Sequence, residues 1–129
     1  MSKALLLIAM LYMHIVDDYR HQGILASMKQ KQWWKENAPD ELYKRDYVVA
    51  LIEHAFSWAV AIHIPAIVYV YLTGCTIHLF LFVALFVFEW ALHAVVDDAK
   101  ANDHTISLVT DQLVHVFQII GAWFVYITL

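Results

Sequence analysis

The sequence TIHLFLFVALFVFEWALHAVV, residues 76–96, decides how the rest of this chain can fold. The run is almost wholly apolar, and it is long enough to cross a bilayer as a helix, which takes about 20 residues. It contains Glu89 and His93, and Asp97 follows directly at its end. Charged and polar side chains are costly at membrane depth and are usually functional there. We therefore expect a membrane-spanning helix whose acidic and imidazole groups serve a specific purpose.

Three further apolar runs accompany this one, and together they predict the architecture. Hydrophobic residues make up 62% of the 129-residue chain and charged residues 16%, against about 45–50% and about 25% in soluble domains. No strict alternation of apolar and polar residues indicates a barrel. The sequence predicts an all-α fold, a four-helix transmembrane bundle with a polar metal site near one membrane face. Its single integral membrane domain, residues 1–129, has spans at about 4–28, 47–72, 76–98 and 105–129 and an interfacial segment at about 29–45.

The basic residues orient the predicted bundle. Most of them lie between the first two spans, and they are Arg20, Lys29, Lys31, Lys35, Lys44 and Arg45, while Lys100 lies between the last two. These two links share a side when the number of spans is even, and the positive-inside rule makes that side cytoplasmic. We expect an integral protein of the cytoplasmic (inner) membrane with both termini outside. Because the basic segment suits lipid headgroups, membrane lipid is the expected partner and nucleic acid is not.

Histidine and aspartate recur four residues apart in three of the spans, and the second span adds a histidine near its start. The residues are His14 and Asp18, His54, His93 and Asp97, and Asp111 and His115. Residues four apart on a helix share one face. Since successive spans run in opposite directions, all four spans bring these groups to one level near the cytoplasmic face.

Burying so many imidazole and carboxylate groups in a low-dielectric environment is costly, and a divalent cation that binds them offsets this cost. Neutral imidazole and carboxylate are natural ligands for zinc, and for iron or manganese. Four-helix bundles build such sites from inward-facing histidines and carboxylates. Seven ligands exceed what one tetrahedral ion takes, so we expect one or two ions, with two ions sharing a carboxylate preferred and zinc first among the metals. The alternative is a metal-free network of buried His–Asp hydrogen bonds.

Three free carboxylates are candidates for moving a proton in catalysis, and they are Glu89, Asp17 and Asp98. Glu89 lies four residues before His93, where it could also hold a ligand imidazole in place. Other polar residues are expected to support the ligands from outside, and they are Gln22, Lys100 and Gln112. The histidines nearer the opposite membrane face, His63 and His78, are expected to be incidental.

The same residues resemble a family of small multi-span membrane proteins of bacteria and phages that is classed as a domain of unknown function. The family pattern is His-x-x-x-Asp-aromatic-x-x-Gln, then a lone histidine, then His-x-x-x-Asp-x-x-Lys, and finally Asp-Gln-x-x-His. In this chain the pattern falls on His14, Asp18, Tyr19 and Gln22, on His54, on His93, Asp97 and Lys100, and on Asp111, Gln112 and His115. The resemblance covers most of the chain. It implies a polar site common to the family, and it implies no particular reaction.

Three classes of function fit such a site. The preferred class is a metal-dependent hydrolase, with an iron oxygenase as a variant, acting on a lipid, phosphoester or peptide at the cytoplasmic leaflet with metal-bound water as nucleophile. The alternatives are a metal-stapled structural or accessory membrane protein and a divalent cation transporter. Four spans without an inverted repeat argue against transport. A homo-oligomer stays open on the sequence alone.

Overall fold

The computed structural model describes residues 1–128, which form helices joined by short links, with no β-strand among them. The helices are α1 (Lys3–Val16), α2 (Leu25–Met28), α3 (Lys31–Asn37), α4 (Asp46–Thr73), α5 (Leu79–Ala101) and α6 (Leu108–Thr128). A π-helical turn, Asp17–His21, continues α1, and a short 3₁₀ turn, Glu41–Tyr43, precedes α4. The predicted all-α class is therefore confirmed.

Three of the helices, α4, α5 and α6, are long and apolar enough to cross a membrane. Pro65 lies inside α4 and the helix continues past it to Thr73. The freed carbonyl is tolerated because neighbouring helices in a bundle can satisfy it. These three helices account for the second, third and fourth apolar runs of the sequence.

The first apolar run differs from the continuous span predicted at about 4–28. Helix α1 ends at Val16, the π turn ends at His21, and a separate short helix follows. Gly23 separates them with a φ of 51°, which is left-handed backbone that glycine adopts readily because it has no Cβ. The described chain thus has six helices, of which three are of membrane length.

Helix α4 is central, and it packs against α1, α2, α5 and α6. The apolar core lies where α1, α4 and α6 meet, and its buried residues are Leu6, Met10, Trp58, Ala59, Ile62, Ala66, Tyr69, Ile119, Ala122 and Tyr126. Several of these are alanines, because small side chains let helix backbones approach closely. The core is apolar on the side towards the chain termini and becomes polar towards the π turn.

The outer surface of the long helices is strongly apolar. Phe80 is 85% exposed and Tyr71 is 84% exposed, and many leucines, isoleucines and valines on α4, α5 and α6 are exposed as well. An apolar surface of this extent marks a face that contacts lipid or another protein. It agrees with helices of membrane length.

The two ends of the bundle are different in character. At one end, the Trp123 indole N–H donates to the Lys3 carbonyl oxygen at 2.8 Å, which ties the end of α6 to the start of α1. The turn between α4 and α5, where Gly74 has a φ of 69°, belongs to the same end. The opposite end holds the π turn, α2, α3 and the link from α5 to α6, and the polar residues collect there.

Candidate metal centre

All seven histidines and aspartates that the sequence assigns as ligands are buried, and they come from the four longest helices and the π turn. The His93 and His115 rings stack with their centroids 4.0 Å apart, and the His54 ring lies 5.2 Å from that of His93. The π turn carries Asp18 to the same place, with Asp17 buried beside it. Such turns are rare and are found disproportionately at functional sites.

His54 Nε2 lies close to three other donor atoms, and we call the four atoms the first donor set: Asp18 Oδ1, His54 Nε2, His93 Nε2 and Asp97 Oδ2. The His54 nitrogen lies 3.3 Å from the Asp18 oxygen, 3.2 Å from the Asp97 oxygen and 3.3 Å from the His93 nitrogen. The His93 nitrogen lies 3.8 Å from each of the two oxygens.

These separations are typical of atoms that share a metal ion. A tetrahedral zinc with bonds of about 2.0–2.1 Å holds its ligand atoms about 3.3 Å apart. A hydrogen bond between a charged imidazole and a carboxylate is shorter, at about 2.7–2.9 Å. The five contacts of the first donor set lie at 3.2–3.8 Å and match the former distance better.

A second donor set lies on the other side of Asp97, and it consists of Asp97 Oδ1, Asp111 Oδ1 and His115 Nε2. The His115 nitrogen is 3.6 Å from the Asp97 oxygen and 3.4 Å from the Asp111 oxygen. His93 also lies close to this set, since His93, Asp97 and His115 offer ligand atoms within 4.8 Å of one another. Asp97 therefore presents one carboxylate oxygen to each set.

Three donor atoms of the two sets are buried and lack hydrogen-bond partners: Asp18 Oδ1, Asp111 Oδ1 and His115 Nε2. Leaving a buried polar atom unsatisfied costs about 1–3 kcal/mol. Native proteins rarely accept this cost, and a bound ion is one explanation for a cluster of such atoms. The buried histidine and aspartate groups could therefore hold a metal ion.

The orientation of His115 is fixed by a chain of hydrogen bonds. Its Nδ1 lies 3.0 Å from the Gln118 Oε1, and the Gln118 amide nitrogen donates to Glu89 Oε2 at 2.8 Å. Because the amide nitrogen of Gln118 is the donor to Glu89, its oxygen accepts from the His115 Nδ1–H. The lone pair of His115 is then on Nε2, which faces the second donor set, as in metal-binding histidines with an outer-shell acceptor.

His14 lies beside the donor sets, and both of its ring nitrogens have other partners. The Trp58 indole N–H donates to His14 Nδ1 at 2.8 Å, and His14 Nε2 lies 3.1 Å from the Gln112 Oε1. An indole can only donate, so Nδ1 accepts and the ring proton sits on Nε2, where it is donated to Gln112. In this arrangement His14 orients its neighbours, and its role as a ligand stays a prediction of the sequence.

Two lysines reach the carboxylates. Lys29 is only 5% exposed and its Nζ lies 2.5 Å from Asp97 Oδ2. Lys100 Nζ lies 2.7 Å from Asp111 Oδ2 and 3.6 Å from Asp97 Oδ1. From the sequence, Lys29 was expected at the edge of the interfacial segment, as one of the orienting basic residues, but its side chain enters the bundle.

Asn102 explains how Lys29 is held inside. Its side-chain oxygen accepts from the Lys31 backbone N–H at 2.6 Å, and its amide nitrogen donates to the Lys29 carbonyl at 2.9 Å. The same amide nitrogen donates to Asp98 at 2.6 Å. The junction of α2 and α3 is thereby fastened to the end of α5, which directs the lysine side chain inward.

The three carboxylates assigned to proton transfer make their hydrogen bonds away from the donor sets. Asp17 accepts from the Ser57 hydroxyl at 2.8 Å, and Asp98 accepts from Asn102. Glu89 is buried and reaches the second donor set only through Gln118. Asp98 fastens the α5–α6 link through Asn102, and Glu89 holds the amide that orients His115. A role of the three carboxylates in proton transfer stays a prediction of the sequence.

The two histidines expected to be incidental lie outside both donor sets. His78 is exposed at the opposite end of the bundle. His63 is buried, its ring packs against Phe82 and Phe86, and its Nδ1 hydrogen-bonds the Ala59 carbonyl at 2.8 Å. His63 is a packed core histidine and offers a matched control for the ligand histidines.

Trp58 and Gln118 belong to the site although the sequence analysis did not single them out. The Trp58 ring stacks on that of His93 with the centroids 4.1 Å apart. Each residue lies one helical turn beyond a predicted ligand, Trp58 four residues after His54 and Gln118 three residues after His115. Both residues lie on the same helix faces as the predicted ligands, so inspecting one further turn of each face would have identified them.

No protein-family model, curated protein or solved structure matches this chain. The fold and the two donor sets therefore carry the functional argument.

Proposed function

We propose that this protein is an integral membrane metalloprotein, a zinc-type metal-dependent hydrolase with two ions that acts at the cytoplasmic leaflet. The observation that carries this proposal is the group of buried, unpartnered donor atoms at the distances of co-ligands. Manganese or iron would suit the same donors. A metal-bound water activated as nucleophile is the chemistry that such an ion supplies.

The membrane arrangement is part of the proposal. Helix α1 with the π turn, Lys3 to His21, is about 28 Å long at about 1.5 Å per residue, close to the bilayer core of about 30 Å. With α4, α5 and α6 it forms a bundle of four spans. The basic residues of the α2–α3 segment and Lys100 lie at the site end, which makes that end cytoplasmic and leaves both termini outside.

The two donor sets suit different roles. The first donor set offers four protein atoms, which is the closed shell of a structural ion. The second donor set offers three, from Asp97, Asp111 and His115, and three protein ligands with an open position are typical of catalytic ions. Asp97 bridges the two, so the first ion would fix the carboxylate that holds the second.

A metal-stapled structural or accessory protein is the second candidate, and the four-atom first donor set favours it. Transport of a divalent cation is supported less well, because four protein donors retain an ion rather than release it. The two candidates differ in one property. The hydrolase has a coordination position open to water and small anions, and the metal-stapled structural protein has none.

Metal content tests the proposal. Protein purified in mild detergent, loaded with zinc and freed of excess metal should contain about two ions per chain by elemental analysis. Asp111→Asn should lose about one of them, because the second donor set then has two strong donors, and His78→Ala should match the wild type. Wild-type protein that retains no metal after zinc, manganese or iron loading would overturn the proposal.

Cobalt in place of zinc distinguishes the hydrolase from the staple. We expect the visible absorption of cobalt-loaded wild type to change on adding azide, because a small anion can enter the open position of the second donor set. The change should be absent in Asp111→Asn. If azide does not change the cobalt spectrum of fully loaded wild type, no coordination position is open. The metal then has a structural role, and the protein is not a hydrolase of this kind.

A further inference from the structure

A groove of about 350 Å³ lies on the site end of the bundle, between the π turn, α2, the end of α5 and the start of α6. Its polar lining includes Asp18, Gln22, Lys29, Gln30, Lys100, His104 and Gln112. A larger cavity of about 640 Å³ lies elsewhere, between α3 and the start of α4, away from the donor sets. The smaller groove is the one that shares residues with the metal centre.

The groove adjoins the second donor set through two of its lining residues. Lys100 and Gln112, which line it, contact Asp111 Oδ2 at 2.7 Å and 3.0 Å, while Asp111 Oδ1 is the donor atom. Gln112 also donates to Asp18 Oδ2 at 3.2 Å. Lys100 and Gln112 therefore lie between the groove and the second donor set.

The charge of this region depends on the metal. The carboxylates Asp18, Asp97 and Asp111 carry one negative charge more than the two lysines, Lys29 and Lys100, provide. A single divalent ion reverses the sign of this balance. The lining contains the ammonium groups of Lys29 and Lys100, which pair with Asp97 and Asp111, and a cation at these carboxylates would free both ammonium groups for an anion.

Two further features suit an anion with a lipid tail. Leu108, the first residue of α6, lines the groove, so the positive end of a 21-residue helix faces it. Tyr19 and Leu108 line it as well and are 60% and 56% exposed, so the groove opens to the apolar outer surface. His104, with a φ of 54°, lies in the lining and is the only non-glycine residue among residues 1–128 with positive φ, which is strained backbone of the kind found near ligands.

We propose that this groove binds the phosphate group of a phosphoester and presents its ester bond to the second donor set. The inference deepens the proposed hydrolase by naming its substrate class, and it rests on that proposal. Lysine is a common phosphate ligand, and the site lies at headgroup level. In the reaction, a water oxygen bonds to phosphorus, the P–O bond to the alcohol breaks, one water proton leaves with the alcohol and the other stays with the phosphate.

Phosphorus NMR with manganese-loaded protein tests the proposal. Manganese at the second donor set should strongly shorten the relaxation times of phosphorus bound in the groove. The probes are inorganic phosphate, glycerol 3-phosphate, and phosphatidic acid in phosphatidylcholine nanodiscs. Enhancement by the soluble probes identifies a free phosphoester as ligand, and enhancement by phosphatidic acid alone identifies a lipid headgroup.

Two variants show that the effect arises in the groove. Lys100→Met should weaken phosphate binding at least tenfold. Gln30→Glu should also weaken it, because it adds a negative charge at the exposed rim of the groove without touching a donor atom. Lys44→Met should behave as wild type, since Lys44 pairs with Glu41 at 3.2 Å on an exposed surface.

The outcomes separate this inference from the proposed function, because manganese content is measured on the same samples. Protein that binds manganese without relaxing phosphorus of any of the three probes overturns the phosphate groove and leaves the metal centre standing. If Lys100→Met and Gln30→Glu leave the relaxation enhancement of phosphorus unchanged, the proposal that phosphate binds in the groove is also overturned. Protein that binds no manganese or zinc overturns the proposed function itself.

Discussion

His93→Ala is expected to lose essentially all of the bound metal. His93 Nε2 contributes to the first donor set, lying 3.3 Å from His54 Nε2, and the residue also lies within ligand distance of Asp97 and His115. Removing an outer-shell partner of a metal ligand already costs about 10–100-fold in affinity, so loss of a central ligand should cost more. We expect the metal content of His93→Ala to fall to about a tenth of the wild-type value or less.

The fluorescence of Trp58 provides a second measurement of metal binding at the first donor set. Its ring stacks on His93 at 4.1 Å, so cobalt bound at the first donor set should quench its fluorescence. The quenching should disappear in His93→Ala and be strongly reduced in Trp58→Phe.

His63→Ala is the matched control for this prediction. It also removes a buried imidazole from the bundle, where the ring is packed among aromatic side chains. We expect a loss of thermal stability from the cavity with full metal content. Equal metal loss in both variants would attribute the result to general unfolding, and full metal content in His93→Ala would contradict the first donor set.

Lys29→Met is expected to move stability and metal affinity in opposite directions. Lys29 Nζ lies 2.5 Å from Asp97 Oδ2, which is also a donor atom of the first set. In the presence of a chelator, the variant leaves a buried carboxylate without its closest cation. Breaking a buried ion pair by removing one partner costs about 3–5 kcal/mol, so the unfolding midpoint should fall sharply.

Bound zinc should restore the stability that Lys29→Met loses in the presence of chelator. A cation at the first donor set and the Lys29 ammonium compete for the same carboxylate oxygen. Without the lysine, we expect zinc to bind roughly tenfold more tightly, which corresponds to about 1.4 kcal/mol, and to restore most of the lost stability. Thermal unfolding in detergent with chelator and with zinc, together with a zinc titration, measures both effects.

Lys44→Met again serves as control, because its surface ion pair is exposed to solvent and should contribute little. Weaker zinc binding in Lys29→Met, in parallel with lower stability, would show that the lysine supports the site and does not compete with the ion. Asn102→Ala should resemble a mild form of Lys29→Met, since Asn102 fastens the backbone on both sides of the lysine.

The sequence alone determined the helical class and the polar cluster. Spacing of four residues places His93 with Asp97 and Asp111 with His115 on single faces whatever the tertiary packing is, because the helix repeat fixes it. Runs of about 20 apolar residues likewise leave few options other than buried or lipid-facing helices. These are local properties, and local patterns are sufficient to predict them.

Which atoms of these residues meet depends on how distant segments of the chain pack together. Spacing along a helix does not say that Asp97 directs one oxygen to each donor set, that Trp58 occupies a nitrogen of His14, or that Gln118 separates Glu89 from the site. It also does not place Lys29 inside the bundle, which depends on a contact with Asn102, 73 positions away along the chain. Side-chain partners across helices are set by packing between distant segments, and a pattern within one segment carries no information about them.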